Sequence, residues 1–308
     1  MKVLISGGAG FLGSNLTERL LAQGHTLLAL DNYETGRRDA LAPHPALTVV
    51  EGDVADGELV ARLFREFAPT HVVHAAAAYK DPDAWAHDAR TNVLGTAQVV
   101  RAAKEAKVRR FVYLQTALCY GPAQRTPIPD DHPLSPGSSY AISKTGGERY
   151  VAMSGLSWVS LRLANVYGPR LYTGPIPAFH KRLRAGQPCS VVRTRRDFVA
   201  IDDFLSLMDS VLASEATGAF NASRGTDCTI LELYEAMAAI LGVDAPPPAI
   251  TEAGSDDLAS LLLDPSRTMA TFGWRPAVEL ADGLRRLVEW YDRHGVGQTY
   301  THLRMGQS

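Results

Sequence analysis

The chain has 308 residues, 46% of them hydrophobic, and a formal net charge of −2. That is enough for one large α/β domain, or for a domain with a smaller cap, around a buried core. The near-neutral balance gives no reason to expect nucleic-acid or membrane binding, and the first six residues are too short an apolar run for a signal peptide or a span. Cys119, Cys189 and Cys228 are odd in number and far apart. They suggest neither a disulfide framework nor a metal site, and suit a reducing cytoplasm.

Residues 2–6 read as a buried strand that runs straight into glycines. A helix over 11–23 follows, with apolar residues at Phe11, Leu12, Leu16, Leu20 and Leu21 and a stop at Gly24. Strands are predicted over 26–30, 47–50, 70–74, 111–115 and 158–163. Helices are predicted over 56–67, 88–107 and 138–153. This alternation predicts a Rossmann-type α/β fold, a doubly wound parallel sheet with right-handed crossovers. After about Asn165 the rhythm breaks, Gly and Pro become frequent and arginines cluster. Residues 1–165 are therefore expected to bind the cofactor, and 166–308 to form mainly a smaller substrate-binding domain. Two segments, 197–202 and 218–222, read as strands returning toward the sheet, so that 197–224 rejoins the first domain. Pro246-Pro247-Pro248 reads as a rigid loop.

Gly7-Gly8-Ala9-Gly10-Phe11-Leu12-Gly13 follows the first strand and opens the first helix. This is the context in which a glycine motif cradles a dinucleotide. Gly7 and Gly8 allow the tight turn, Gly10 lets backbone approach a pyrophosphate, and Gly13 lets helix pack on strand. The helix N-terminus adds about half a positive charge facing the phosphates. Asp31, ending the second strand, is placed to accept the adenosine ribose hydroxyls and would repel a 2′-phosphate, which favours NAD over NADP. Arg37 and Arg38 lie close downstream and read as solvated loop cations in preference to 2′-phosphate ligands. Asp53 follows the third strand, either as a turn residue or in touch with adenine.

Tyr140 and Lys144 are four apart on a predicted helix and share a face. A nearby ammonium and an oxidised nicotinamide ring both stabilise a phenolate, so Tyr140 is a candidate base for a hydroxyl proton while hydride leaves the same carbon. Thr116, at the carboxyl end of the fifth strand, is placed to hydrogen-bond the substrate oxygen and the phenolate. Tyr79 and Lys80 follow the fourth strand and face the predicted crevice. Lys80 reads equally as a ligand for a sugar carboxylate or phosphate and as a solvated loop residue.

These elements, with His74-Ala75-Ala76, Asn92, Arg162 to Pro169, Arg196-Asp197-Phe198 and Phe272-Gly273-Trp274-Arg275-Pro276, occur in the order of a known family. The chain resembles an extended short-chain dehydrogenase/reductase of the nucleotide-sugar epimerase/dehydratase type, UDP-glucose 4-epimerase-like. The stretch Gln115 to Gly121 further resembles a bacterial subgroup linked to surface-polysaccharide sugars. The resemblance implies a catalytic triad of Thr116, Tyr140 and Lys144. It extends the cofactor-binding set to Phe11, Leu12, Asn32, Val54, Ala75, Ala76 and Ala77. It puts Asn165 and Arg196 on the diphosphate of a nucleotide-diphosphate sugar, and it implies a homodimer joined by a four-helix bundle built on 88–107 and 138–153.

The departures narrow the chemistry. Family dehydratases carry Asp-Glu directly after the catalytic Thr, and UDP-glucuronate decarboxylases keep the Glu; here Ala117 and Leu118 stand there. The 3,5-epimerases place a cysteine at the Leu118 position; here Cys119 comes one residue later, which on a strand points it to the opposite face as a buried structural thiol. Many UDP-sugar relatives have Arg-Pro-Gly-Asp before the last strand. Here the region reads Glu252-Ala253-Gly254-Ser255-Asp256-Asp257, and the nucleotide stays open. The expected activity is NAD-dependent 4-epimerisation through a transient 4-keto sugar. The alternatives are a nucleotide-sugar dehydrogenase or keto-reductase with net NAD(P) redox, and a non-catalytic nucleotide-binding protein.

Overall fold

The computed structural model describes residues 1–79, 81–253 and 258–297. Lys80 and residues 254–257 lie outside that set, and with them two of the substrate-side expectations. The first strands and helices alternate: β1 Lys2–Ser6, α1 Phe11–Ala22, β2 Thr26–Asp31, β3 Leu47–Glu51, α2 Gly57–Phe67 and β4 His71–His74. The predicted long helix over 88–107 is segmented into α3 Trp85–Asp88, a π-helical stretch Ala89–Gly95, and α4 Thr96–Glu105. Then come β5 Arg110–Thr116, a 3-10 turn Ala117–Tyr120, α5 Ser139–Ala152 and β6 Trp158–Leu163.

All strands of the main sheet run parallel, in the order β10-β6-β5-β4-β1-β2-β3, with β10 being Gly218–Ala222. Both faces are covered, so the strands are apolar on both sides and lack the alternation of a half-exposed sheet. Val3, Ile5, Leu27, Val73 and Val112 face one apolar cluster, while Leu4, Leu28, Val72 and Phe111 face another. The strand order reverses between β1 and β4, and ligands bind outside the strand ends at such a point.

Of the two segments expected to return, Gly218–Ala222 does so, pairing with β6. The other does not join the main sheet. The chain beyond β6 forms β7 Asn165–Tyr167, α6 Pro175–Arg184, β8 Ser190–Val192 and β9 Arg195–Ala200. β9 belongs to a small separate sheet, and residues 201 and 202, expected to extend it, instead open α7 Ile201–Ala213. Asp202 and Asp203 in the first turn of α7 favour the helix dipole, which explains the switch. The remainder is β11 Asp227–Thr229, α8 Ile230–Leu241, β12 Ala249–Thr251, β13 Ser260–Leu261, α9 Ser266–Phe272 and α10 Leu280–His294. Helices α6, α8 and α10 share a third apolar cluster around Leu233, Met237, Leu284 and Leu287.

At the far end of β5, Arg110 is 2% exposed and donates to the carbonyls of Val211 and Ala216 and to the hydroxyls of Ser157 and Ser214. It fastens the end of α7 to the sheet. Arg110→Met leaves those acceptors unpaired and is expected to lower the unfolding free energy by about 2–4 kcal/mol. Urea denaturation measures it; a loss below about 0.5 kcal/mol, the size of a surface change, would show that the fastening is unimportant.

Candidate active site

The glycine turn sits at the point of sheet reversal. A Cβ on Gly7, whose φ is +70°, would lie 2.6 Å from the Ala76 nitrogen, so glycine is required for the loops after β1 and β4 to touch. A Cβ on Gly10 would meet only the Gly7 carbonyl, at 3.3 Å, and otherwise open space. That open flank is the room a pyrophosphate needs. Gly13 packs directly on the Gly7 carbonyl. Helix α1 has no side-chain cap and no acid in its first turn, so the N-terminal amides near Phe11 and Leu12 suit an anion. A cleft of about 290 Å³ opens here, lined by Ala9, Gly10, Phe11 and Tyr79 among others.

Asp31 is buried, and its carboxylate accepts the Ala9 and Tyr33 amides at 2.9 and 2.8 Å. Burial nonetheless raises its pKa. Asn32 accepts the Glu34 amide, and Asp53 accepts the Ala55 amide and pairs with Arg90 at 2.9 Å. Val54 is buried against Gly95 of the π-helical stretch. Both downstream arginines are taken up by acids: Arg37 by Asp39, and Arg38 by Glu51 in a two-pronged pair at 2.6 and 2.7 Å. With those cations neutralised and Asp31 at the end of β2, the cradle fits NAD.

The loop after β4, carrying Ala75, Ala76 and Ala77, is clamped by a residue sequence reasoning quoted only as part of a motif. Asn92 in the π-helical stretch accepts the Ala78 amide and donates to the Ala78 carbonyl, both at 2.9 Å, and donates to Ser143 Oγ at 3.0 Å. An Asn in the middle of an otherwise regular helix is the signal that marks it. His74 lies behind this clamp. Thr96 donates to the Asn92 carbonyl, so it accepts from His74 Nε2, and His74 Nδ1 accepts from Ser6. Full burial pushes His74 down to about 3 and keeps it neutral.

Helix α5 presents Tyr140 and Lys144 on one face, one turn apart, and packs against β5, which ends at Thr116. The Ser138 hydroxyl caps the helix by accepting the Ala141 amide. Lys144 is 1% exposed, and its ammonium sits over the Tyr113 ring at 4.1 Å from the centroid. Tyr113 is fixed by donating to the Lys144 carbonyl at 3.0 Å. Tyr140 is partly buried, and the Tyr79 ring lies 5.8 Å from its own. Burial raises Tyr140 and lowers Lys144 to about 7, Glu148 partly offsetting the latter. Each burial effect disfavours the charged form. The oxidised nicotinamide ring, one of the two groups expected to favour the phenolate, is not part of this balance.

Thr116 Oγ1 accepts the Leu118 amide at 3.2 Å, which leaves its own proton for a ligand. The residues after it form a 3-10 turn, so strand alternation does not govern Cys119. Its thiol is nevertheless fully buried and pushed up to about 12, which makes it inert. Ala117 is buried and Leu118 half-buried, so neither position offers a proton. On the substrate side Asn165 is exposed and donates to the Asp197 carbonyl at 3.2 Å. Arg196 on β9 is half-buried and donates to the carbonyls of Arg195 and Leu258, both at 2.7 Å. The structure brings Asn165 and Arg196 to neighbouring strands, since β7 pairs with β9.

Comparison with known proteins decides the family. The model of the NAD dependent epimerase/dehydratase family matches residues 3–223. The chain belongs to this family. It is an NAD-dependent nucleotide-sugar epimerase in class, with NAD as its cofactor. A UDP-glucose 4-epimerase of Mycolicibacterium smegmatis is 34% identical, covering 94% of this chain and 98% of that one. Among solved structures, Bordetella bronchiseptica WbmG in complex with NAD and UDP is 49% identical with a TM-score of 0.92, covering 98% of this chain and 97% of that one. WbmH of the same organism, in complex with NAD+, is 45% identical with a TM-score of 0.91, covering 96% and 99%. Among the described residues no group of His, Cys, Asp and Glu is arranged to hold a metal ion, and no helix is long and apolar enough to cross a membrane.

The epimerase's buried lysine has a measurable consequence. Between pH about 7 and about 10.4 the unfolded chain keeps a proton on Lys144 that the folded chain has shed, so this group adds stability as pH rises through that window. In NAD-free protein, Lys144→Met is expected to be more stable than the parent near pH 7, with the advantage fading toward pH 10. Thermal unfolding of both proteins across this range checks it. An advantage that stays constant with pH would mean Lys144 titrates as an ordinary amine.

Proposed function

We propose that this enzyme interconverts the C4 epimers of a UDP-sugar through a transient 4-keto sugar. What carries this reading is the pairing of Thr116, Tyr140 and Lys144 with Ala117 and Leu118, two positions that offer no proton. Loss of water from C5 and C6, or epimerisation beside the keto group, needs a group that moves a carbon-bound proton; 4-epimerisation does not. UDP is supported as the nucleotide by the WbmG complex at 49% identity.

In this reading Tyr140 Oη takes the proton of the C4 hydroxyl and later returns it. Thr116 Oγ1 donates to the same sugar oxygen. Lys144, held over Tyr113, supplies the charge that favours phenolate in the closed site. Asn165 and Arg196 hold the diphosphate, the latter with a planar fork suited to phosphate oxygens. NAD+, held by the glycine turn and Asp31, would supply the hydride acceptor for C4 and, once reduced, the donor that returns it to the opposite face of the sugar.

The decisive experiment incubates the purified protein with UDP-, dTDP-, GDP-, CDP- and ADP-sugars in D₂O and reads the products by NMR. A UDP-sugar is expected to give its 4-epimer with no deuterium at ring carbons and no net NADH. Stoichiometric NADH, or deuterium at a ring carbon, would sink the reading. Tyr140→Phe is expected to lower kcat by about 10²–10⁴-fold while bound NAD is retained. Near-parental turnover in that variant would remove Tyr140 as the base.

The family resemblance also supports a homodimer, working in the cytoplasm, where the free Cys119, Cys189 and Cys228 stay reduced. Ile142, Tyr150 and Met153 form an exposed apolar stripe along α5, with Leu94 exposed on the neighbouring π-helical stretch. Burying this stripe against its copy makes a two-fold bundle of four helices. The paired change Ile142→Asp with Met153→Asp is expected to yield monomer by sedimentation or light scattering at micromolar concentration. A dimer of parental stability in that variant places the interface elsewhere.

A further inference from the structure

The cleft beside the glycine turn has a second wall that the glycine motif does not explain. Across from Gly10 and Phe11 stand Arg37, Tyr172, Trp290 and His294, drawn from three separate parts of the chain. The Arg37 guanidinium lies 5.2 Å from the centre of the Tyr172 ring. Tyr172 is 6.3 Å from Trp290, and Trp290 stacks on His294 at 4.8 Å and 25°. The backbone leaving α10 returns to the same place: a Cβ on Gly297 would meet Arg37 Nη1 at 2.8 Å and Tyr172 Cε1 at 3.6 Å.

Each member of this row is anchored. The Arg37 amide donates to the Ala9 carbonyl at 3.1 Å, tying its loop to the glycine turn, and Asp39 orients its guanidinium. Tyr291, next to Trp290, donates to the Leu171 carbonyl at 2.6 Å and so locks α10 to the loop that carries Tyr172. Asn15 of α1 donates to the Pro169 carbonyl at 2.9 Å, closing the ring back onto the cofactor helix. The row thus spans from the glycine turn to the C-terminal helix along one wall of the cleft.

We propose that Arg37, Tyr172 and Trp290 form a clasp that closes the pyrophosphate end of the cleft and holds NAD(H) through turnover. The need for such a clasp rests on the epimerase reading, because a hydride that leaves and returns to one sugar requires the reduced cofactor to outlast the keto stage. Ring stacking and cation–π contact are suited to this role. They are made between segments distant in sequence, and they must part before a ligand leaves along that route.

The test loads the full-length protein with NAD+ and measures retained cofactor after gel filtration. It also measures the release rate on dilution into excess etheno-NAD+, whose fluorescence reports exchange. Tyr172→Ala and Trp290→Ala are expected to release NAD+ about tenfold faster, equivalent to about 1.4 kcal/mol. Trp290→Phe, which keeps a ring, is expected to stay near the parental rate. Parental release rates in both alanine variants would overturn the clasp. If either alanine variant lacks a cooperative unfolding transition, Arg37→Gln decides, since its side chain is 43% exposed and tolerates change. Its release must accelerate about threefold, the scale of one exposed cation–π contact, or the clasp falls. A parent that loses NAD+ faster than it turns over a sugar nucleotide sinks the epimerase reading and the clasp together. A parent that retains NAD+ alongside unaltered variants sinks the clasp alone.

Discussion

Everything at this site depends on how closely two loops approach at the reversal of the sheet. The glycine turn after β1 touches the chain after β4 so tightly that even a methyl group on Gly7 would strike the Ala76 amide. From that contact the order passes outward through hydrogen bonds. Ala78 is held on both its backbone groups by Asn92, and Asn92 holds Ser143. Ser143 donates to the Tyr140 carbonyl and precedes Lys144 in α5. The glycine turn and the helix that carries Tyr140 and Lys144 are therefore registered against each other through Asn92. The π-helical stretch is the backbone device that turns its side chain to both, and such local departures from helical geometry recur at functional sites.

Electrostatics add a second constraint. A buried amine with only an aromatic face beneath it is charged at greater cost than a paired one, and burial accordingly lowers Lys144. One turn further along α5 the opposite solution appears. Glu148 is 3% exposed and is met by Arg162 at 2.7 Å, by Ser160 at 2.6 Å, and through Arg162 by Tyr120. That pair is fully hydrogen-bonded, which is the condition under which buried charges are tolerated. It fixes α5 to β6 and leaves one negative charge near enough to raise Lys144 against the burial that lowers it. The helix thus carries a disfavoured charge at Lys144 and a satisfied one at Glu148.

What was legible in the sequence follows from how local each signal is. The parallel sheet was readable because strands buried on both faces leave apolar runs, as in Leu27, Leu28, Ala29 and Leu30. The glycine turn and the spacing of Tyr140 and Lys144 are likewise local patterns. Three things were not local. The stretch 197–202 reads as a strand, yet it divides between β9 and α7, a break set by the packing of α7 as well as by Asp202 and Asp203 in its first turn. Tyr113 looks like any core strand residue until the fold sets it under Lys144. Arg37, Tyr172 and Trp290 are separated by more than a hundred residues at each step, and only the tertiary structure makes them neighbours.

The two halves of the site are built with different stiffness, and the chemistry asks for that difference. On the cofactor side nearly every polar group is held by backbone: Asp31 by two amides, Asn92 by both groups of Ala78, and the Arg37 loop by the Ala9 carbonyl. On the side proposed to hold the sugar, Asn165 is exposed and touches one carbonyl, and among the described residues Thr116 keeps its hydroxyl proton unspent. Under the proposed 4-epimerisation, a sugar that must present both faces of C4 to one hydride needs room to turn while the cofactor stays still. Ala117 and Leu118, packed in an apolar cluster beside Thr116, add no polar group that would hold the sugar in one pose. Under the proposed reading, the same two positions leave the site without a means of moving a second proton.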